Sequence, residues 1–94
     1  MSSDLACSTI VFQGRVQRVG FRATVAQLAD SHPSVTGWVR NEPDGTVRCV
    51  VEGPRAALDA FVDSILHRMK DNIASHNRCE SPATGAFTDF RIST

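Results

Sequence analysis

The chain has 94 residues, ten Lys and Arg against ten Asp and Glu, a hydrophobic fraction of 41% and a charged fraction of 21%. These values suit one compact domain and exclude a disordered or collagen-like chain. The cancelled charge leaves no overall field for a long polyanion, so no nucleic-acid partner is expected and any anion site must be local.

Cys7, Cys49 and Cys79 are far apart in sequence and lack a Cys-x-x-Cys pairing. That pattern disfavours a disulfide framework or a metal site and fits a reducing, cytoplasmic compartment. No basic stretch followed by an apolar run opens the chain, and no run of about 18 apolar residues occurs, so neither secretion nor a membrane partner is expected. A single domain over residues 1–94 is predicted, with residues 1–6 a flexible tail. Small size and balanced charge favour a monomer.

Residues Cys7 to Gln13 form a β-rich run that stops at Gly14 and predicts a strand. After a loop, Phe21, Val25, Leu28 and Ala29 fall on one face of a helix that ends near Ser31-His32-Pro33. Val35 to Asn41 and Thr46 to Gly53 predict a hairpin across the turn residues Glu42-Pro43-Asp44-Gly45. In its second strand Val47, Cys49 and Val51 alternate with Thr46, Arg48, Val50 and Glu52, which predicts one buried face and one mostly wet face. Pro54 then opens a second helix with Leu58, Phe61, Val62, Ile65, Leu66 and Met69 at helical spacing. Asn72 to Glu80 carries little apolar signal, Ser81 to Gly85 reads as a turn, and Phe87 to Ile92 as a terminal strand. Trp38 and Phe61 are read as core aromatics, and His32 and His67 as isolated and solvent-facing.

This order predicts an α+β, ferredoxin-like βαββαβ sandwich: an antiparallel sheet with both helices on one face, and a possible extra C-terminal strand.

The strand-to-helix junction Gly14-Arg15-Val16-Gln17-Arg18-Val19-Gly20-Phe21-Arg22 holds two glycines and three arginines. Its backbone N–H groups, with the unpaired donors of the first helical turn, can cradle a phosphate-sized anion, and Arg22 can add a planar fork of donors. Solvated arginines beside an ordinary turn are the bland alternative, with comparable weight on these residues alone.

The same segment resembles the acylphosphatase signature Gly-x-Val-Gln-Gly-Val-x-Phe-Arg, and Gly37-Trp38-Val39-Arg40-Asn41-x-x-Asp44-Gly45 resembles that family's second signature. Glu52-Gly53 and Phe90-Arg91-Ile92 also fit, so the resemblance spans nearly the whole chain. It implies hydrolysis of the carboxyl–phosphate bond of a small-molecule acyl phosphate. Substrate phosphate would be held by the loop Gln17, Arg18, Val19, Gly20, Phe21 and Arg22, with Arg22 and Asn41 the catalytic pair and Asn41 orienting the attacking water. No metal or other cofactor is implied.

Arg18 stands where the family pattern has glycine, and either crowds the loop or points outward and raises the local positive potential. After the second helix, Asp71-Asn72-Ile73-Ala74-Ser75-His76 fits the family poorly. There His76 would replace an apolar core residue, leaving a strand that is displaced, frayed or paired with another chain. Two rival functions share the topology. A regulatory or anion-binding module would keep the loop without needing Asn41, and an RNA-binding module would need exposed aromatics on the central strands.

Overall fold

In a computed structural model, which describes residues 4–93, the elements are β1 (Leu5–Gly14), α1 (Phe21–Asp30), β2 (Thr36–Asn41), β3 (Val47–Pro54), α2 (Arg55–Arg68), β4 (Ile73–Pro82) and β5 (Phe90–Ile92). The strands form one sheet in the order β4-β1-β3-β2-β5. β1 pairs antiparallel with β3 and β4, and β2 antiparallel with β3. The expected βαββαβ sandwich is therefore present, with the fifth strand at the C-terminal end.

The helices cover one face because the sequence puts a single apolar stripe on each of them. Phe21, Val25 and Ala29 of α1 and Leu58, Phe61, Val62 and Ile65 of α2 are buried. They join one core with Ala6, Ile10, Phe12, Val39, Val47, Cys49 and Val51 from alternate positions of β1, β2 and β3. Aromatic edges seal it: Phe12 meets Phe21 at a ring separation of 5.1 Å and Phe61 meets Phe90 at 5.7 Å. Val47, Cys49 and Val51 are the inward residues of β3, as the alternation predicts.

Several expectations are corrected. The sheet is mixed rather than antiparallel, because β5 runs parallel to β2, with Gly37 opposite Phe90 and Val39 opposite Ile92. The chain leaves β4 at one edge and must cross the sheet to reach the other, arriving in the direction of β2. β5 itself is limited to Phe90–Ile92, shorter than the predicted run from Phe87. Leu5 and Ala6, assigned to a flexible tail, belong to β1, and Ala6 is fully buried; the rest of that tail, residues 1–3, lies outside the described residues.

The stretch that looked poorly formed is a ten-residue strand, β4, paired with β1 from Ala6↔Pro82 to Gln13↔Ser75. His76 fills no core position. It is exposed, with its ring 6.4 Å from that of Phe12. Ser81 and Pro82 end this strand instead of opening a turn.

Trp38 is half-buried on the sheet face away from the helices, where the Arg40 guanidinium lies 4.5 Å from its ring centre. His32 is also half-buried, with Nδ1 bonded to the Leu28 carbonyl at 2.9 Å and its ring edge-on to Phe61 at 5.6 Å. Phe61 is core, as expected. Among the described residues, no helix is long and apolar enough to cross a membrane.

Candidate active site

The loop from Arg15 to Gly20 leaves the end of β1 and feeds α1. Val16 is fully buried and pins its middle to the core, while Phe21 pins the start of the helix. Its first residue is clamped by the strand entry beyond α2: Arg15 N–H donates to the Asn72 carbonyl at 2.8 Å, and Asn72 Nδ2 donates to the Arg15 carbonyl at 3.1 Å. Between these anchors Gly20 adopts φ 76° and serves as the N-cap. A glycine cap has no side chain to bond the helix donors, and no acidic residue stands in the first turn.

The first helical bond is Thr24 N–H to the Gly20 carbonyl at 3.0 Å, so the N–H groups of Phe21, Arg22 and Ala23 have no acceptor among the described residues. Unpaired donors at the positive end of a helix macrodipole are a ready anion site.

A pocket of about 200 Å³ opens at this point, lined by Val16, Arg18, Gly20, Phe21, Arg22, Ala23, Asn41 and Ile92. The structure thus brings Arg22 together with Asn41, 19 positions later in sequence at the end of β2. Arg22 and Arg18 have no carboxylate partner among the described residues, whereas Arg40 and Arg48 are both paired with Glu42 on the hairpin.

Asn41 contributes the second unusual feature: its Oδ1 is buried and accepts no hydrogen bond. A buried acceptor without a donor costs about 1–3 kcal/mol.

Larger hollows lie elsewhere, near Leu5 and Arg55 and beside Trp38 and Arg91, at about 550 and 540 Å³. Their arginines are already neutralised, Arg55 by Glu80 and Arg91 by Asp89. Size therefore favours them and chemistry favours the smaller pocket.

Not every predicted loop residue lines that pocket. The Gln17 side chain donates both amide hydrogens to the hairpin, reaching the carbonyls of Glu42 at 2.8 Å and Thr46 at 2.9 Å. It ties the loop to the turn that follows Asn41. Val19 is exposed and outside the lining. Arg18 has φ 64°, a left-handed conformation that costs an L-residue about 1–2 kcal/mol and that glycine adopts freely. Val16, Ala23 and Ile92 were missed as lining residues; an apolar or small side chain carries no chemical signal in a sequence.

The turn itself is held by Asp44 Oδ1, which accepts from Thr46 N–H at 3.0 Å and from its hydroxyl at 2.6 Å. The Thr46 hydroxyl, then its N–H, holds the Asp44 carboxyl below its ordinary pKa. No cluster of three or more metal-ligating side chains occurs among the described residues.

A family model of acylphosphatases matches residues 8–92. The chain belongs to the acylphosphatase family. An acylphosphatase from Pediococcus pentosaceus is 54% identical over 52 residues, covering 55% of the chain. The match spans only 57% of that relative's own length. An acylphosphatase from Salinibacter ruber is 40% identical over 80 residues, covering 84% of the chain and 83% of the relative. In structure, the chain superposes on a crystal structure of acylphosphatase from Bacillus subtilis with a TM-score of 0.83 and 33% identity, covering 95% of this chain and 99% of that one. Within this acylphosphatase fold the pocket lies at the β1–α1 junction and at the end of β2, the two places where the signature-like segments fall.

Proposed function

We propose that the protein hydrolyses acyl phosphates to a carboxylate and inorganic phosphate. In this reading the substrate phosphate sits against the N–H groups between Gln17 and Arg22, with the Arg22 guanidinium supplying a charge-assisted fork to its oxygens. Asn41 Oδ1 accepts a hydrogen bond from water and aims the water oxygen at phosphorus. Water oxygen bonds to phosphorus as the bond from phosphorus to the acyl oxygen breaks. The electron pair leaves with the carboxylate, and the water proton passes to a phosphate oxygen.

A carboxylate is a weak base, so no strong general acid is needed, and a loose phosphoryl transition state gains chiefly from positioning and charge stabilisation. The loop, one arginine and one asparagine supply both without a metal. The observation that carries this reading is the buried, unpartnered Asn41 Oδ1 in the same pocket as the unpaired Arg22. A purely anion-binding module has no use for such an acceptor. We further propose a monomer acting in the cytoplasm, consistent with free cysteines of which Cys7 and Cys49 are buried.

The test is turnover of acetyl phosphate without added metal, with inorganic phosphate affinity measured in parallel. Asn41→Ala is expected to bind phosphate within about threefold of wild type while kcat falls by about 10²–10³, the size of effect seen on removing a preorganised polar group. Arg22→Ala is expected to lose phosphate affinity. An alkyl phosphate monoester, with its far more basic leaving group, should turn over much more slowly. Lost phosphate binding with retained turnover in Asn41→Ala would contradict the assigned roles.

A further inference from the structure

Among the described residues, Arg18 is the one residue other than glycine with a positive φ, at 64°. Strain of this kind persists where a functional site keeps it, and glycine would remove it at no steric cost. The arginine that carries the strain also lines the pocket, is exposed, and has no carboxylate partner. Arg40, Arg48, Arg55, Arg78 and Arg91 each have one.

Position gives the charge a direction. Of the residues lining the pocket, Val16 and Phe21 are buried, Arg22 and Asn41 are half-buried, and Arg18, Gly20, Ala23 and Ile92 are exposed and form its rim. Arg18 is the sole charged group on that rim. Asn41 is half-buried and lies behind the exposed rim, so a water held by its side chain would approach phosphorus from the inner side of the pocket. Attack and departure lie roughly in line. The acyl group therefore leaves on the rim side and passes Arg18.

We infer that Arg18 forms a second anion subsite at the pocket mouth, selecting acyl phosphates whose acyl group carries a further negative charge, a carboxylate or a second phosphate. This rests on the acyl-phosphate reading above and adds the substrate class. A planar guanidinium with free donors can take either anion in a two-pronged contact. No acidic side chain lines the pocket to compete for it. A neutral acyl group would meet no complementary charge at the rim.

The test compares 4-carboxybenzoyl phosphate with benzoyl phosphate, which differ by one rigidly placed carboxylate. Wild type should favour the charged substrate in kcat/KM by about tenfold at low salt, with the preference shrinking toward unity at about 0.5 M salt as the exposed charge is screened. Arg18→Gly and Arg18→Asn, the second chosen because asparagine tolerates positive φ, should bring the ratio to about one to two, while Arg18→Lys keeps part of it.

A wild-type ratio near one overturns the inference. So does a ratio unchanged in the Gly and Asn variants, or one in which both substrates fall equally, which would assign Arg18 to the phosphate itself. Failure of the underlying acyl-phosphate reading looks different: wild type would then turn over neither compound. Thermal melting of Arg18→Gly at or above the wild-type midpoint verifies that a lost preference does not come from unfolding.

Discussion

Gln17 and Arg18 are adjacent and both polar, yet they serve different ends. The sequence pattern assigns both to the phosphate loop. It cannot tell where a side chain goes, and Gln17 turns from the pocket to the hairpin carbonyls of Glu42 and Thr46. The Glu42 carbonyl also accepts from Gly45 N–H, and the Thr46 carbonyl from Glu42 N–H. Removing Gln17 therefore orphans neither. Gln17→Ala should lower stability by about 1 kcal/mol, the net worth of ordinary hydrogen bonds.

The larger effect of Gln17→Ala falls on geometry, because the loop proposed to hold phosphate is no longer tied to the turn beside Asn41. A misplacement on the order of 1 Å costs up to about 10²-fold in rate, so kcat should fall at least several-fold with little change in phosphate affinity. Gln17→Glu, nearly the same shape but without donors at neutral pH, should behave alike. A merely structural side chain would shift the melting point and leave kcat intact. A side chain that contacts phosphate would instead lower affinity.

At the scale of elements, what was legible is what one buried face makes periodic. α1 and α2 each present one apolar stripe, β3 alternates Val47, Cys49 and Val51 inward, and the Asp44-Gly45 turn closes the hairpin. β4 was hard to read because it is an edge strand that the helices barely cover. Ile73 and Arg78 are its partly buried residues and the others are exposed, so no period of two is written into it.

Yet β4 matters for the site through its first residues. Gly14 has φ 126°, and a Cβ there would lie 2.5 Å from the Asn72 carbonyl oxygen and 2.6 Å from Ala74 N, both backbone atoms that cannot rotate aside. Gly14→Ala should therefore cost about 2–4 kcal/mol through strain and overpacking. At about 4–8 °C per kcal/mol for a domain of this size, its melting point should fall by about 10 °C or more. Phosphate affinity should drop with it, since Arg15 and Asn72 lose their mutual bonds. An unchanged melting curve would mean that β4 does not fix the start of the loop.

On the scale of the whole molecule, the parallel placement of β5 is what composition and periodicity could not give, because it depends on how the chain crosses the sheet. Glu52, read as a wet-face residue, fastens that crossing. It is 5% exposed, with Oε2 accepting from Thr84 N–H at 3.0 Å and from the Thr84 hydroxyl at 2.6 Å, and Oε1 from Gly85 N–H at 2.9 Å. Burial, the largest single influence, pushes the Glu52 carboxyl up, but the bonds from Thr84, Gly85 and Cys7 together outweigh it and hold the pKa below its ordinary value. Burial likewise raises the Cys7 thiol, and the Glu52 charge adds to that against a hydrogen bond with Ser81.

A depressed carboxyl stabilises the fold fully above its unfolded pKa of about 4.3, and that stability is lost as the pH falls through the lower folded value. Chemical denaturation between neutral pH and about pH 3 should therefore show wild type losing stability in acid. Glu52→Gln should start lower at pH 7, by about 1–3 kcal/mol, and lose less on acidification.

Glu52 stands opposite Cys7 and Thr36, whereas Asn41 stands opposite Val47 at the other end of β3. Five residues of strand put about 17 Å between the two ends. The pH dependence of kcat measured where the protein is folded should therefore be the same in Glu52→Gln as in wild type. Equal acid sensitivity of stability in the two proteins would remove Glu52 from the account of how the crossing is held. A shifted kcat profile would mean that the crossing and the pocket are coupled through the sheet.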